Sequence, residues 1–576
     1  MCHYINHMNN YHNLMQETID NKLTNIPYQA NAASFQADIT QRSRNQIPLS
    51  KGDQGGCKKL AKKRKISLCN TIIPLVAVGI CLFTRLLYFG KYIDEWDSVN
   101  FAFGLSKGYD ILHDQPHFPG YPVYMFVSWI WYMILGSDIQ SLIFSGILFS
   151  SLAVYPLYEL VKRMFSQEVA ILAAVLYIVN PQIWLQAEKP LSDAFGLFFV
   201  ITAILFFYLA IECDQETSLR MGEWQFAPGE PRTSLMYLGI GGVILGLGLG
   251  VRVTYLALIP IMAYTAFRLS KKTCGRMVLL WGASGFALGV TAWLGYLIVR
   301  FQPYKFYKKF LSHADYHFYR EGNSIITTDD YGERFFDIFH NLSAHCLGTW
   351  WTDTPILRIV PTLIIGVSLI CFFMHERWNL RNKFLMAFFV PYFLWVALIQ
   401  DAIRQVMVLI PFLVILVSAG LWYVYIRYLK GGKSGVALFL AIVFAFVISQ
   451  TVDSLRIVSI NRNEEPPSVS TINYITKNYN KDDTKFYCLN DWRLFQYYAP
   501  EWCDKKNSHV YFTSRMNGVL NDLGRLKNKP KHILVSSKLF ERDKHKDRLK
   551  KLVEFKRNRY GVADYNWLAL YRFEWR

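Results

Sequence analysis

The feature that most limits the folds open to this chain is a series of apolar stretches between Thr71 and Thr451. Each is about 17–25 residues long, enough to cross the hydrocarbon core of a bilayer as a helix. Lipid offers no partners for unpaired backbone amides, so such segments must be helical. We place eleven spans at roughly 71–89, 141–161, 169–187, 192–212, 236–251, 254–268, 277–300, 356–374, 383–400, 406–427 and 435–452. The bulk composition agrees: 52% of the 576 residues are hydrophobic and only 18% charged, against about a quarter charged in soluble domains. The expected fold is an all-α polytopic membrane protein with outer interfacial helices and a small C-terminal α/β domain.

A net charge of +19 in a soluble chain would suggest nucleic acid. Here the basic residues sit in short loops between spans: Lys162/Arg163, Arg268/Lys271/Lys272, Arg377/Arg381 and Arg427/Lys430/Lys433. That placement is an orientation signal and excludes nucleic acid as a partner. The basic run Lys58 to Lys65 puts the N-terminus in the cytoplasm, and every later basic loop then falls on the same side. Residues 1–65, rich in Asn and Gln and without hydrophobic periodicity, read as a disordered cytoplasmic segment. The ten cysteines are scattered, without a CxxC pair or zinc-type His/Cys spacing. Cys488 and Cys503 can form a disulfide if their domain is exported.

Tyr121 to Gly136 is apolar yet crowded with Tyr, Trp and Phe, residues that favour the membrane–water boundary. It reads as a helix lying along the outer interface rather than a twelfth span. The transmembrane domain is placed at 66–460, with outer loops at 91–140 and 301–355. Residues 461–576 alternate strand-like runs (Lys485–Leu489, His509–Thr513, His532–Ser536, Trp567–Phe573) with helical stretches such as Met516–Leu526. They carry no phosphate-binding glycine loop, and the alternation predicts an extracytoplasmic α/β domain.

The informative chemistry is in the first outer loop. Asp94, Glu95 and Asp97 lie within four residues just past a span. On a helix Asp94 and Asp97 share a face, and their repulsion with partial burial raises proton affinity toward what a general base needs. Beyond them, Gln115-Pro116-His117-Phe118-Pro119-Gly120-Tyr121-Pro122 sets three prolines and a glycine around one histidine. Such a run fixes the backbone, and a rigid turn presenting His117 beside an acidic cluster at a membrane surface has the character of a site.

A first span, an acidic loop, an HPPGYP-like turn and an interfacial helix together resemble the C-type glycosyltransferases. The nearest branch resembles the bacterial relatives of protein O-mannosyltransferases, aminoarabinose transferases and lipopolysaccharide sugar transferases, and the likeness runs for about 350 residues, to near Leu421. That branch often reads Asp-Glu-Ala-x-Tyr-Ala in the loop. Setting Phe101-Ala102 against its Tyr-Ala makes Asp97 the match for the catalytic Asp, and Ser98 replaces the Glu that follows. Asp94 and Glu95 then stand where a missing carboxylate can be supplied. Glu188-Lys189-Pro190-Leu191-Ser192-Asp193 resembles a second polar cluster at the outer start of a span. Gly246 to Gly250 resembles a glycine-rich approach to an Arg, here Arg252, and the glycines themselves read as helix-packing positions. Arg404 resembles an Arg at the outer start of a late span. Arg85, near the outer end of the first span, can instead pair with the acidic cluster.

The resemblance implies an enzyme that moves a sugar from a polyprenyl-phosphate donor to an acceptor hydroxyl on the extracytoplasmic side, with inversion, in the cell membrane. It implies Asp97 as base and Arg404 on the carrier phosphate, joined by Lys189 or Arg252. The acceptor is a glycan, lipid or protein. No cofactor is required by any motif, and a divalent cation stays open. Two other readings are a flippase for lipid-linked saccharides and a non-catalytic membrane scaffold. Transporters place their polar groups near mid-membrane, whereas here the charged candidates lie at the outer boundary.

Overall fold

The structure is a computed structural model that describes residues 56–221, 230–319, 324–328, 330–349, 354–376, 379–399, 403–489, 491–503, 509–513, 516–526, 528–537, 548–557 and 567–574. The expectation of disorder over residues 1–65 falls largely on residues outside that set. Two compact units divide at Cys69/Asn70, and the second, Asn70–Arg576, holds everything described below except the start of the first helix.

Helix α1 (Gly56–Leu86) leads to α2 (Trp96–Ser106), α3 (Pro122–Leu135), α4 (Asp138–Leu152), α5 (Val154–Met164), α6 (Gln167–Val179) and α7 (Pro181–Ala187). Next come α8 (Asp193–Met221), α9 (Glu230–Leu249), α10 (Ile259–Ser270), α11 (Gly275–Phe301), α12 (Pro303–Tyr319) and α13 (Tyr331–His340). The membrane part closes with α14 (Pro355–His375), α15 (Leu380–Leu398), α16 (Ile403–Val406), α17 (Ile410–Val424) and α18 (Lys433–Asn463).

All eleven expected stretches are helical, and the chain is a multi-pass membrane protein. The count of clear spans is smaller, however. Among the described residues eight helices are long and apolar enough to cross a membrane, or nine if the pair α6–α7 is one broken span. That pair bends by 55° where Asn180 caps α7 by accepting from Ile183 N at 3.0 Å and Pro181 opens the new helix. Of the other two, only Thr71–Leu86 of α1 qualifies as a short apolar helix, and α15 opens on Arg381, Asn382 and Lys383. The aromatic helix α3 has 14 residues, about 21 Å at 1.5 Å per residue, too short for a 30 Å core. One of its faces is buried through Tyr124, Met125 and Ser128, while Phe126, Trp129 and Met133 are exposed.

Glycine sets a close helix contact between α9 and α11. A Cβ on Gly246 would lie 2.6 Å from Phe286 O and 2.8 Å from Val290 N. Across the same seam a Cβ on Gly285 would collide with Gly239 O. Small residues on both partners therefore let the α9 and α11 backbones touch, as the sequence pattern implied.

After α18 come α19 (Pro467–Asn478), β1 (Thr484–Cys488), α20 (Asp491–Tyr498), β2 (Val510–Phe512), α21 (Met516–Arg525), β3 (His532–Ser536), β4 (Leu549–Lys556) and β5 (Trp567–Phe573). The sheet order is β2-β1-β3-β5-β4, with β1 parallel to β2 and β3, and β5 antiparallel to both neighbours. Parallel neighbours need helical crossovers, which α20 and α21 supply. Strand β4 is not legible in the sequence: its Lys-rich run (LKKLVEFK) belongs to a sheet edge, where lysines discourage further pairing. No disulfide joins Cys488 to Cys503; Cys488 is buried where β1 meets the sheet core.

This domain is seated on the acidic loop. Tyr498 Oη accepts from Ile93 N at 2.8 Å, Arg493 Nε donates to Asn100 Oδ1 at 2.7 Å, and Tyr497 Oη donates to Asp138 Oδ1 at 2.9 Å. The rings of Trp96 and Trp492 lie 5.9 Å apart. Sheet domain and acidic loop therefore occupy one side of the helical bundle.

Candidate active site

The three loop carboxylates do not share a helix face. Glu95 is extended (φ −123°, ψ 148°) and the helix starts at Trp96, so Asp94 lies before the helix that carries Asp97. The acids share their cations. Asp94 lies 3.5 Å from Lys189 Nζ and 3.3 Å from Arg557 Nη1 of the sheet domain. Glu95 accepts from Lys189 Nζ at 2.7 Å and faces Arg404 Nη1 at 3.4 Å. Asp97 accepts from Arg404 Nη2 at 2.9 Å and lies 3.7 Å from His117 Nδ1. Behind them Asp193 accepts from Arg252 Nη1 at 2.5 Å and its other oxygen is 3.9 Å from Arg404.

The expected rise in proton affinity is overturned at Asp97. Burial opposes its ionisation, but the His117 and Arg404 charges and the Arg404 hydrogen bond outweigh burial and hold the carboxyl below the usual carboxylate range. His117 is itself lowered, by burial working against the pull of Asp97, so it is neutral near pH 7 and Arg404 is the lasting cause. The sequence argument counted the neighbouring acids and had no means of seeing the cations.

His117 sits in the proline turn as expected, between the cis bonds Gln115–Pro116 and Phe118–Pro119. Its Nε2 is 2.9 Å from Tyr121 Oη, and its ring is 5.7 Å from that of Phe101. Tyr121 adopts φ 49° after Gly120 at φ 97°. This reversal turns the chain into α3 and leaves the phenol under the imidazole. Lys107 and His113 flank the turn but take no part in the cluster.

Two of the sequence candidates lie elsewhere. Glu188 accepts from Trp184 Nε1 at 2.6 Å, fully buried, and burial pushes its carboxyl well above the usual range. It braces the bend before α8 through the Trp184 indole. Arg85 does not pair with the acidic cluster: it donates to Ile178 O at 3.0 Å and lies over the Trp184 ring. Three participants had no sequence signal that marked them out. Arg557 and Arg493 come from the far end of the chain, and Tyr121 was read as part of the proline turn and the start of the aromatic helix, with no role of its own.

Lys189, Arg252 and Arg404 differ in access. The side chains of Lys189 and Arg252 are 4% and 10% exposed, against 26% for Arg404 and 29% for Asp97. Solvent meets the cluster at Arg404 and Asp97. Among the described residues no group of three or more His, Cys, Asp and Glu comes together to hold a metal. The carboxylates Asp94, Glu95, Asp97 and Asp193 pair with Lys189, Arg252, Arg404 and Arg557.

A bundle of membrane helices with an acidic loop, a partly exposed arginine at its mouth and a sheet domain on the same side is similar to the fold of the C-type glycosyltransferases. Residues 113–274 match the family model described as the protein O-mannosyl-transferase TMEM260 N-terminal domain. The fold is similar to that of ArnT from Cupriavidus metallidurans, a structure with bound undecaprenyl phosphate. That match has a TM-score of 0.51 at 11% identity and covers 87% of this chain and 97% of that one. The Archaeoglobus fulgidus oligosaccharyltransferase aligns at 13% identity and a TM-score of 0.42, over 74% of this chain. This chain spans 63% of the length of that archaeal enzyme. No curated protein matches the sequence.

Proposed function

We propose that this chain is a membrane glycosyltransferase that moves a sugar from a polyprenyl-phosphate-linked donor to an acceptor hydroxyl on the extracytoplasmic side. The observation that carries the reading is Arg404, a partly exposed guanidinium shared by Asp97, Glu95 and Asp193. A lipid phosphate arriving from the membrane meets Arg404 first, because Lys189 and Arg252 are buried and committed to carboxylates. Guanidinium offers two parallel donors to phosphate oxygens.

The same arrangement explains how a carboxylate of low proton affinity serves as a base. While Arg404 is paired to Asp97, the carboxylate is a poor proton acceptor. A phosphate that engages Arg404 weakens that pair, and the proton affinity of Asp97 rises when the donor is in place. The acceptor oxygen then attacks the anomeric carbon as Asp97 takes its proton. The new C–O bond forms while the bond to the phosphate oxygen breaks, and the carrier phosphate leaves with the electron pair, stabilised by Arg404. One displacement inverts the anomeric centre. His117, neutral and hydrogen-bonded to Tyr121, lines the site with its Nδ1 3.7 Å from Asp97.

The test is transfer of radiolabelled sugar from a polyprenyl-phosphate donor by the purified full chain. Transfer that disappears in Asp97→Asn supports the reading. Equal transfer by both proteins, or none by either with any polyprenyl-phosphate sugar, sinks it.

A further inference from the structure

Three aromatic rings meet in the seam between the acidic loop and the sheet domain, and the reaction above leaves them unused. Trp96 opens α2 directly before Asp97. Its ring lies 5.9 Å from that of Trp492 in α20 and 6.2 Å from that of Phe512 in β2. Trp492 and Phe512 complete the triangle at 6.4 Å. The neighbour of Trp492 pins this group to the loop: Arg493 donates to Asn100 Oδ1 at 2.7 Å, Gln496 Oε1 at 2.8 Å and Asp114 O at 2.9 Å. Both indoles are partly exposed, and Phe512 is 49% exposed. That exposure is unexpected for its side of the sheet. Side chains alternate along a strand, so Phe512 shares a face with Val510 and with their β1 partners Cys488 and Phe486. Val510, Phe486 and Cys488 are all buried in the core continuous with the membrane helices. Phe512 ends that face uncovered, beside two half-open indoles, at the rim where sheet and loop part.

We propose that Trp96, Trp492 and Phe512 form a platform for the acceptor, and that the acceptor is a glycan rather than a protein or a lipid. The proposal rests on the reading of the chain as a sugar transferase and names the class of molecule that receives the sugar. The C–H bonds on one face of a pyranose ring carry partial positive charge and match the negative face of an aromatic ring, while the hydroxyls at the sugar's rim stay in water. Half-open rings on a fixed backbone suit that contact, because their packed edges hold them and their free faces receive the sugar. An apolar side chain of a peptide, or an acyl chain, is better served by an enclosed pocket that removes it from water on every side. The place fits the role as well. Trp96 and Asp97 are consecutive in the first turn of α2, so a glycan lying on the platform brings its end toward the base.

The experiment titrates the purified full chain, without donor, with maltohexaose, cellohexaose, chitohexaose and a Ser/Thr-rich peptide, and reads binding by saturation-transfer NMR. At least one hexasaccharide should bind, and Phe512→Ser should weaken it by about 3- to 10-fold. Trp492→Leu keeps apolar bulk in the seam but removes the ring face, and should weaken binding by a similar factor. Phe512→Trp enlarges the face and should bind as tightly as the parent or more so, which a merely structural role for the ring does not require. Phe512 is half exposed, so Phe512→Ser should melt close to the parent, separating lost recognition from misfolding. The proposal is overturned if no hexasaccharide binds, if binding is unchanged in both Phe512→Ser and Trp492→Leu, or if only the peptide binds and these variants weaken it. Failure of the transferase reading looks different: the hexasaccharide binds through the three rings, yet receives no sugar from any polyprenyl-phosphate donor.

Discussion

Arg404 Nη2 lies 2.9 Å from Asp97 Oδ2, joining two residues 307 positions apart in the chain. The pair explains both why Asp97 stays ionised and why its basicity should depend on what else Arg404 binds. The first prediction follows directly. Asp97→Asn should cut turnover by about two to four orders of magnitude. Because Asn cannot hold the guanidinium as an ion pair, donor affinity should stay the same or tighten. A variant with full turnover, or with donor affinity lost along with turnover, would remove Asp97 from the role of base. Asp94→Asn and Glu95→Gln should be milder, since each is committed to Lys189.

Arg404→Lys keeps the charge but loses the paired donors. It should weaken donor use by about 1–3 kcal/mol, and Arg404→Ala by more. The readout is donor KM and kcat in the transfer assay. Unchanged values in both variants would show that the phosphate is held elsewhere.

The pH dependence has a defined sign. Asp97 is held below the usual carboxylate range in the folded chain, so its contribution to stability is present above about pH 3.9, its unfolded value. That contribution is lost only as the pH falls through the lower folded value. Arg404→Gln should move this acid transition upward, toward the unfolded value. Thermal melts from about pH 7 down to about pH 1 read it, and an acid transition that does not move in Arg404→Gln would contradict the pairing.

Arg557 ties the sheet domain to the loop: it donates to Ile460 O at 3.0 Å and Asn461 O at 2.9 Å and faces Asp94. Its side chain is 5% exposed. Arg557→Met should destabilise the chain by about 2–4 kcal/mol, since buried carbonyls and a carboxylate lose their partner. A melting temperature equal to the parent's in detergent would show that the domain is held by its other contacts.

Orientation is tested by thiol labelling in cells from a background without native cysteines. Asn478 and Lys271 are both exposed. With the basic loops inside, Asn478→Cys should react with an impermeant reagent and Lys271→Cys should not. The reverse pattern would place the acidic loop in the cytoplasm.

The sequence by itself determined the membrane class, because runs of apolar residues long enough to cross a bilayer leave the backbone no other choice than helix. It also located the acidic loop and the His117 turn, whose prolines and glycine act on their own neighbourhood. The glycines at 246–250 were legible as packing positions, though not the α11 glycines they meet. What the tertiary structure decided is which charges meet. The acids at 94–97 looked like mutual neighbours that would raise each other's proton affinity. Folding brings Lys189, Arg404 and Arg557 to them from three distant parts of the chain, and the shift at Asp97 reverses sign. Glu188 and Arg85 looked equally suited to the site, but the bend at Asn180–Pro181 turns Glu188 onto Trp184, and Arg85 goes with it. A Coulomb interaction depends on distance through space, and for residues hundreds of positions apart only the packed bundle sets that distance.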